Sequence, residues 1–62
     1  RRIQMAACIV GYFYAPSHGY HDSLWVLNSD GTSEVWATGP WVDEGVAYMA
    51  QHGIPRRADL DQ

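Results

Sequence analysis

The chain has 62 residues, 47% hydrophobic and 18% charged, with seven acidic residues against four Arg, no Lys and a formal net charge of -3. That length holds one small domain, able to bury only about 60% of its unfolded surface, and the hydrophobic content excludes a disordered chain. The Arg residues sit in two terminal pairs, Arg1-Arg2 and Arg56-Arg57, so the body lacks the clustered cations that phosphate contacts need, and a nucleic-acid partner is excluded.

The first predicted element is a strand over residues 4–14. Its apolar run, Met5 to Tyr14, is too short for a bilayer span of about 20 residues, so no membrane partner is expected. Arg1-Arg2 ahead of that run resembles the start of a signal peptide, but no small-residue cleavage site follows and the run is β-branched and aromatic. The chain opens without an initiator Met, as trimming from something longer would leave it. Cys8 is alone and can form no intrachain disulfide. Set among Ala6, Ala7, Ile9 and Val10, it reads as a small buried hydrophobe. A free thiol suits a reducing compartment, which makes the expected localisation cytoplasmic.

Ala15-Pro16-Ser17-His18-Gly19 is a loop by composition. Two further strands, over 23–28 and 33–38, flank the turn Asn28-Ser29-Asp30-Gly31. An even-length loop would pair Val26 with Val35, Leu24 with Ala37 and Trp25 with Trp36, whereas an odd one would set Val26 against Glu34. The hydrophobic pattern selects the even register.

Gly39-Pro40 breaks the chain before a helix predicted over 41–52. Asp43 and Glu44 suit the positive end of its dipole. Gly53 suits a left-handed C′ position, with Ile54 folding back onto Met49 in a Schellman motif and Pro55 forbidding continuation. Val42, Val46, Met49 and Ala50 form its apolar stripe. The polar tail, residues 56–62, is expected to fray. The fold class is therefore α+β: a three-stranded antiparallel sheet in the order β-β-β-α, with the C-terminal helix packed on one face.

One helix covers one face of a sheet. By strand alternation, Leu24, Val26, Val35 and Ala37 would meet the helix, and Trp25, Leu27 and Trp36 would look away. Neither alternating set of the first strand is polar. An uncovered apolar face marks an interaction surface, and Trp and Tyr dominate binding hot spots. Trp25, Trp36, Tyr12, Tyr14 and Leu27 are thus the expected contact residues of a small protein-protein interaction module. Its partner would be a second copy, giving a homodimer, or another protein, for which the chain is an accessory subunit or inhibitor.

Catalytic chemistry is sparse. His18, His21 and Asp22 have metal-ligand side chains and offer a metal-binding alternative, with His52 as a third imidazole. No HExxH, Cys pair, nucleophile elbow or phosphate-binding glycine loop is present. Asp43 and Glu44 point about 100° apart on a helix and cannot flank one bond. The chain is read as a non-enzyme without a cofactor.

Two resemblances follow from short stretches. The strand-strand-helix segment from Leu24 to Gly53 is similar in outline to the sheets of AP2-type and integrase arm-binding domains. Those read DNA through sheet Arg and Lys, and this sheet has none. Ser23-Leu24-Trp25 resembles part of the SLWP segment of the MbtH-like family, short acidic chaperones of nonribosomal peptide synthetase adenylation domains. Trp36 stands near the place of that family's second Trp. Val26 replaces its Pro, and its upstream Asn-x-Glu stretch is missing. This resemblance implies, as an alternative function, an accessory protein of a peptide synthetase.

Overall fold

The structure, a computed structural model, describes residues 8–62; the expected first turns of the opening strand, residues 4–7, lie outside the described residues. Strands β1 (Ile9–Ser17), β2 (Tyr20–Asn28) and β3 (Ser33–Ala37) form one antiparallel meander in the order β1-β2-β3, followed by helix α1 (Val42–Gln51). This is the α+β architecture expected from the sequence.

The segment read as a loop before Ser23 is largely strand. His18 and Gly19 both take positive φ (53° and 83°) and turn β1 directly into β2. Such a pair is the two-residue connection whose twist matches that of the flanking strands. Pro16 is tolerated within β1 because the ladder is irregular there, with His21 and Asp22 together filling the gap opposite it.

The second hairpin has the odd register, not the even one. The Gly31 N–H donates to the Asn28 carbonyl (2.9 Å) and the Asn28 N–H to the Thr32 carbonyl (2.8 Å), which closes a three-residue loop. Gly31 takes φ 89°, the left-handed position that this loop type reserves for glycine. Asp30 secures the turn by accepting from the Thr32 N–H (3.0 Å) and hydroxyl (2.6 Å). Val26 therefore pairs with Glu34 and Trp25 with Val35. A bulge at Trp36 restores the pairing of Leu24 with Ala37. The odd loop reverses the expected parity, so Val35 leaves the helix-facing set and Trp36 joins it, while the bulge keeps Ala37 opposite Leu24.

α1 lies across the face that carries Leu24 and Val26, which form the core with Met49, all three fully buried. Ile9, Tyr12, Tyr14, Ala37, Val42, Val46 and Ile54 surround them. A short 3₁₀ turn, Gly39–Trp41, leads into α1. Gly53 (φ 68°) ends it as expected, with the Ile54 N–H donating to the Met49 carbonyl (2.9 Å) and the Gly53 N–H to that of Ala50 (3.2 Å). Gly45 is buried at the point of closest approach, where a Cβ would come within 2.5 Å of Leu24 Cδ2 and 3.1 Å of Trp36 Cδ1.

The polar tail does not fray. It runs along the outer edge of β1, and Tyr12 donates to the Pro55 carbonyl (3.1 Å) while accepting from the Arg57 N–H (2.7 Å). The Tyr14 N–H donates to Asp61 Oδ1 (2.9 Å), and the Tyr14 carbonyl accepts from the Gln62 N–H (2.9 Å). A single 3₁₀ turn, Ala58–Leu60, lets the tail reach both residues. Edge backbone groups need partners, and the tail supplies them more effectively than its polarity suggests. Cys8 also departs from expectation. It is exposed where β1 begins, its N–H donating to the Ser29 hydroxyl (3.1 Å) and its carbonyl accepting from the Ser29 N–H (2.8 Å).

Candidate docking surface

The odd register of the β2-β3 hairpin decides which aromatic residues share a surface. It turns the Trp36 ring toward α1, where it lies 5.1 Å from Tyr48, and Tyr48 in turn lies 4.1 Å from His52. Tyr48 and His52 are one helical turn apart, so their rings stack along the helix. Gly45 sits a turn before Tyr48 on the same side, and its missing side chain leaves room for Trp36.

Trp41 ends the 3₁₀ turn and projects beside β3. His18, Val35, Trp36, Ala37, Thr38 and Trp41 line an open groove of about 450 Å³ between them. Tyr20 stands at the far end of the same connection, its ring so close to Gly39 that a Cβ there would be 2.9 Å from it. The four large rings remain well exposed: Trp41 at 62%, Tyr20 at 48%, Trp36 at 42% and Tyr48 at 39%. Trp36 thus meets Tyr48 on one side and shares the groove with Trp41 on the other, and Tyr20 packs at Gly39, two residues before Trp41.

Of the expected contact residues, Trp36 alone lies in this surface. Tyr12 and Tyr14 are on the helix side, half-buried against the core and packed edge to face at 6.1 Å. Burial pushes the Tyr14 phenol above its usual range, with Tyr12 adding to the shift, while the Arg56 guanidinium over its ring (5.0 Å) acts against it. Trp25 lies on the opposite sheet face, half-buried, stacked with Phe13 at 6.1 Å and donating from Nε1 to the Ala15 carbonyl (3.2 Å). Leu27 is half-buried two residues along β2. Phe13 and Ala15 on that side are buried, although the helix covers the other face.

Trp41, Tyr48 and Tyr20 are the residues that sequence reasoning missed. A signal for two of them was present. Trp41, Gly45, Tyr48 and His52 repeat at helical spacing and form a second stripe beside the apolar one. Tyr20 had no such signal, since it falls between the predicted loop and the strand predicted from residue 23.

The metal alternative loses its geometry. His18 occupies the turn, with Nδ1 2.7 Å from the Ser17 hydroxyl, and faces the groove. His21 and Asp22 are exposed in the irregular stretch of β2. No three His, Cys, Asp or Glu side chains converge as metal ligands among the described residues. No helix among them is long and apolar enough to cross a membrane.

No protein-family model, curated protein or solved structure matches the chain. Two residues that carry the MbtH-like resemblance, Ser23 and Leu24, are fully buried. Leu24 is core, and Ser23 donates to the Ser17 carbonyl (3.3 Å).

Proposed function

We propose that the protein is a small docking module that binds another protein through the surface formed by Trp36, Trp41, Tyr48 and Tyr20. One observation carries the reading: four large aromatic side chains stay exposed, with Trp36 against Tyr48 and in one groove with Trp41, in a chain with little core to spare. Aromatic residues in a patch of this kind supply binding energy by being covered, and exposing them to water alone stabilises nothing. Trp and Tyr also give rigid contact area at low entropic cost.

The test is photocrosslinking from position 41 in the whole chain, with a second probe at Asp30 in the remote turn as control. Light scattering across a dilution series reports whether the partner is a second copy. Adducts from position 41 that are absent from position 30, and lost with Trp36→Ala, support the reading. A chain that stays monomeric and crosslinks equally from both positions overturns it. If the partner is a second copy, Trp41→Ala should shift the midpoint of association at least tenfold, as loss of a hot-spot side chain worth about 2 kcal/mol requires.

A further inference from the structure

The outer edge of β1 lies across the sheet from the surface beside β3, and its occupant is visible. β1 pairs with β2 on one side. On the other, residues 55–62 form a strap that runs parallel to it, bridged where Arg56 meets Tyr12. Alternate residues of β1 engage the strap. Tyr12 bonds to the Pro55 carbonyl and the Arg57 N–H, and Tyr14 to the Asp61 carboxylate and the Gln62 N–H. Side chains add two contacts, the Arg56 guanidinium over the Tyr14 ring (5.0 Å) and the Arg57 stem over Gly11. An extended peptide adds to a sheet edge in this way, with main-chain bonds giving affinity and side-chain contacts giving specificity.

The strap is held at the surface and not through the core. No residue from Pro55 to Gln62 is buried, and the core ends at Ile54. Arg56 pairs with Asp61 and Arg57 with Asp59, so release strands none of these charges. Tyr14, Asp22, Arg56, Asp61 and Gln62 line an open cavity of about 370 Å³, so the end of the strap does not seal against β2. Segments with few buried contacts open locally, well below the free energy of global unfolding. The edge beneath is fixed by contrast. Tyr12 and Tyr14 pack against the core and pair with Val26 and Leu24, both fully buried. Opening the strap therefore uncovers a preformed strand edge.

We infer that the β1 edge is a peptide-binding site, occupied in cis by residues 55–62, that takes in trans an extended segment of another protein carrying an Arg and, five residues on, a carboxylate. The seated strap specifies that chemistry, with Arg56 on the Tyr14 ring and Asp61 on the Tyr14 N–H. As an intramolecular ligand it competes at an effective concentration in the millimolar range. Affinity for a segment in trans therefore rises with the fraction of chains whose strap is open.

The test is fluorescence-anisotropy titration of the whole chain, native and Asp61→Ala, with a labelled synthetic peptide of the sequence of residues 54–62. The substitution loosens the strap and leaves the edge intact, while the peptide keeps its own carboxylate. We expect saturable binding to Asp61→Ala, at least tenfold tighter than to the native chain, with slowed amide exchange at Tyr12 and Tyr14. Ala in place of either Arg56 or Asp61 within the peptide should weaken binding at least tenfold, and the reversed sequence should not bind. If Asp61→Ala loses the native amide NMR spectrum in β2 and α1, Arg57→Pro replaces it, removing the strap's N–H bond to Tyr12 and keeping Asp61. Absence of saturable binding to the folded strap variant overturns the inference. Equal binding by the native chain or by the reversed peptide also overturns it, as does unchanged exchange at Tyr12 and Tyr14. Self-association of the strap variant by light scattering, with those amides protected and no peptide uptake, overturns it in favour of a second copy at the same edge.

Discussion

Asp61 is the residue on which the tail depends. Its carboxylate accepts the Tyr14 N–H, which holds it below the usual carboxylate range, and the Arg56 guanidinium adds to this. Asp59 is lowered in the same sense by Arg57, and Asp30 by the Thr32 hydroxyl and N–H. A carboxyl with a depressed folded pKa contributes stability above its unfolded value, about 3.9. That contribution is lost as pH falls through the folded value. Acidification below about pH 4 should therefore release the tail. Amide exchange at Tyr12 and Tyr14 reads this directly, and we expect it to accelerate several-fold in Asp61→Ala already at neutral pH. Exchange at Val26, paired within the sheet, should stay slow in the same variant. Equal acceleration at Val26 would mean that the tail bonds are not a local latch.

At the scale of elements, α1 combines a good terminus with an unfavourable interior residue. Gly45 costs about 1 kcal/mol relative to Ala in a helix interior, and its presence follows from the approach of Leu24 and Trp36. Gly45→Ala sets that propensity gain against overpacking, which costs about 1–3 kcal/mol in a tight core. Leu24 is fully buried and has little freedom to turn away, so the clash should win and lower the thermal midpoint. Gly53→Ala meets no atom within 4 Å; its cost is only the left-handed backbone, about 1–2 kcal/mol. Leu24→Ala should lose about 2–5 kcal/mol, enough to leave a chain this small largely unfolded by circular dichroism. The helix terminus was legible in the sequence because a Schellman motif is local: Gly53, Ile54 and Pro55 act within one turn. The β2-β3 register was not. It required choosing between a two-residue turn and a three-residue loop with Gly31 in the left-handed position, and the apolar pattern favoured the wrong one.

At the scale of the whole molecule, the sheet has two edges treated in different ways. The β1 edge is bonded by the tail, with the Arg57 side chain packed over Gly11, where a Cβ would stand 2.7 Å from Arg57 Cγ. The β3 edge is short and bulged. Removing residues 55–62 should expose the first edge and leave the second unchanged. We expect a lower thermal midpoint and concentration-dependent association by light scattering. A truncated chain that melts like the full one and stays monomeric would show that the tail protects nothing.

Two levels of organisation separate here. Composition, strand alternation, turn residues and helix signals by themselves determined the element order, the antiparallel sheet, the helix with its C-terminal cap, and a surplus of aromatic side chains. Each of those is set by interactions within a few residues. Only the tertiary structure decided where the surplus lies. A single extra residue in the β2-β3 loop moved the Trp36 ring from the Trp25 face to the helix side, the packing at Gly45 seated it beside Tyr48, and the 3₁₀ turn brought Trp41 alongside. Strand parity has a period of two, so one residue of register exchanges faces. Nothing local in Glu34-Val35-Trp36-Ala37 marks the bulge that returns Ala37 to Leu24, because it matches a three-residue loop at one end of the hairpin to helix packing at the other.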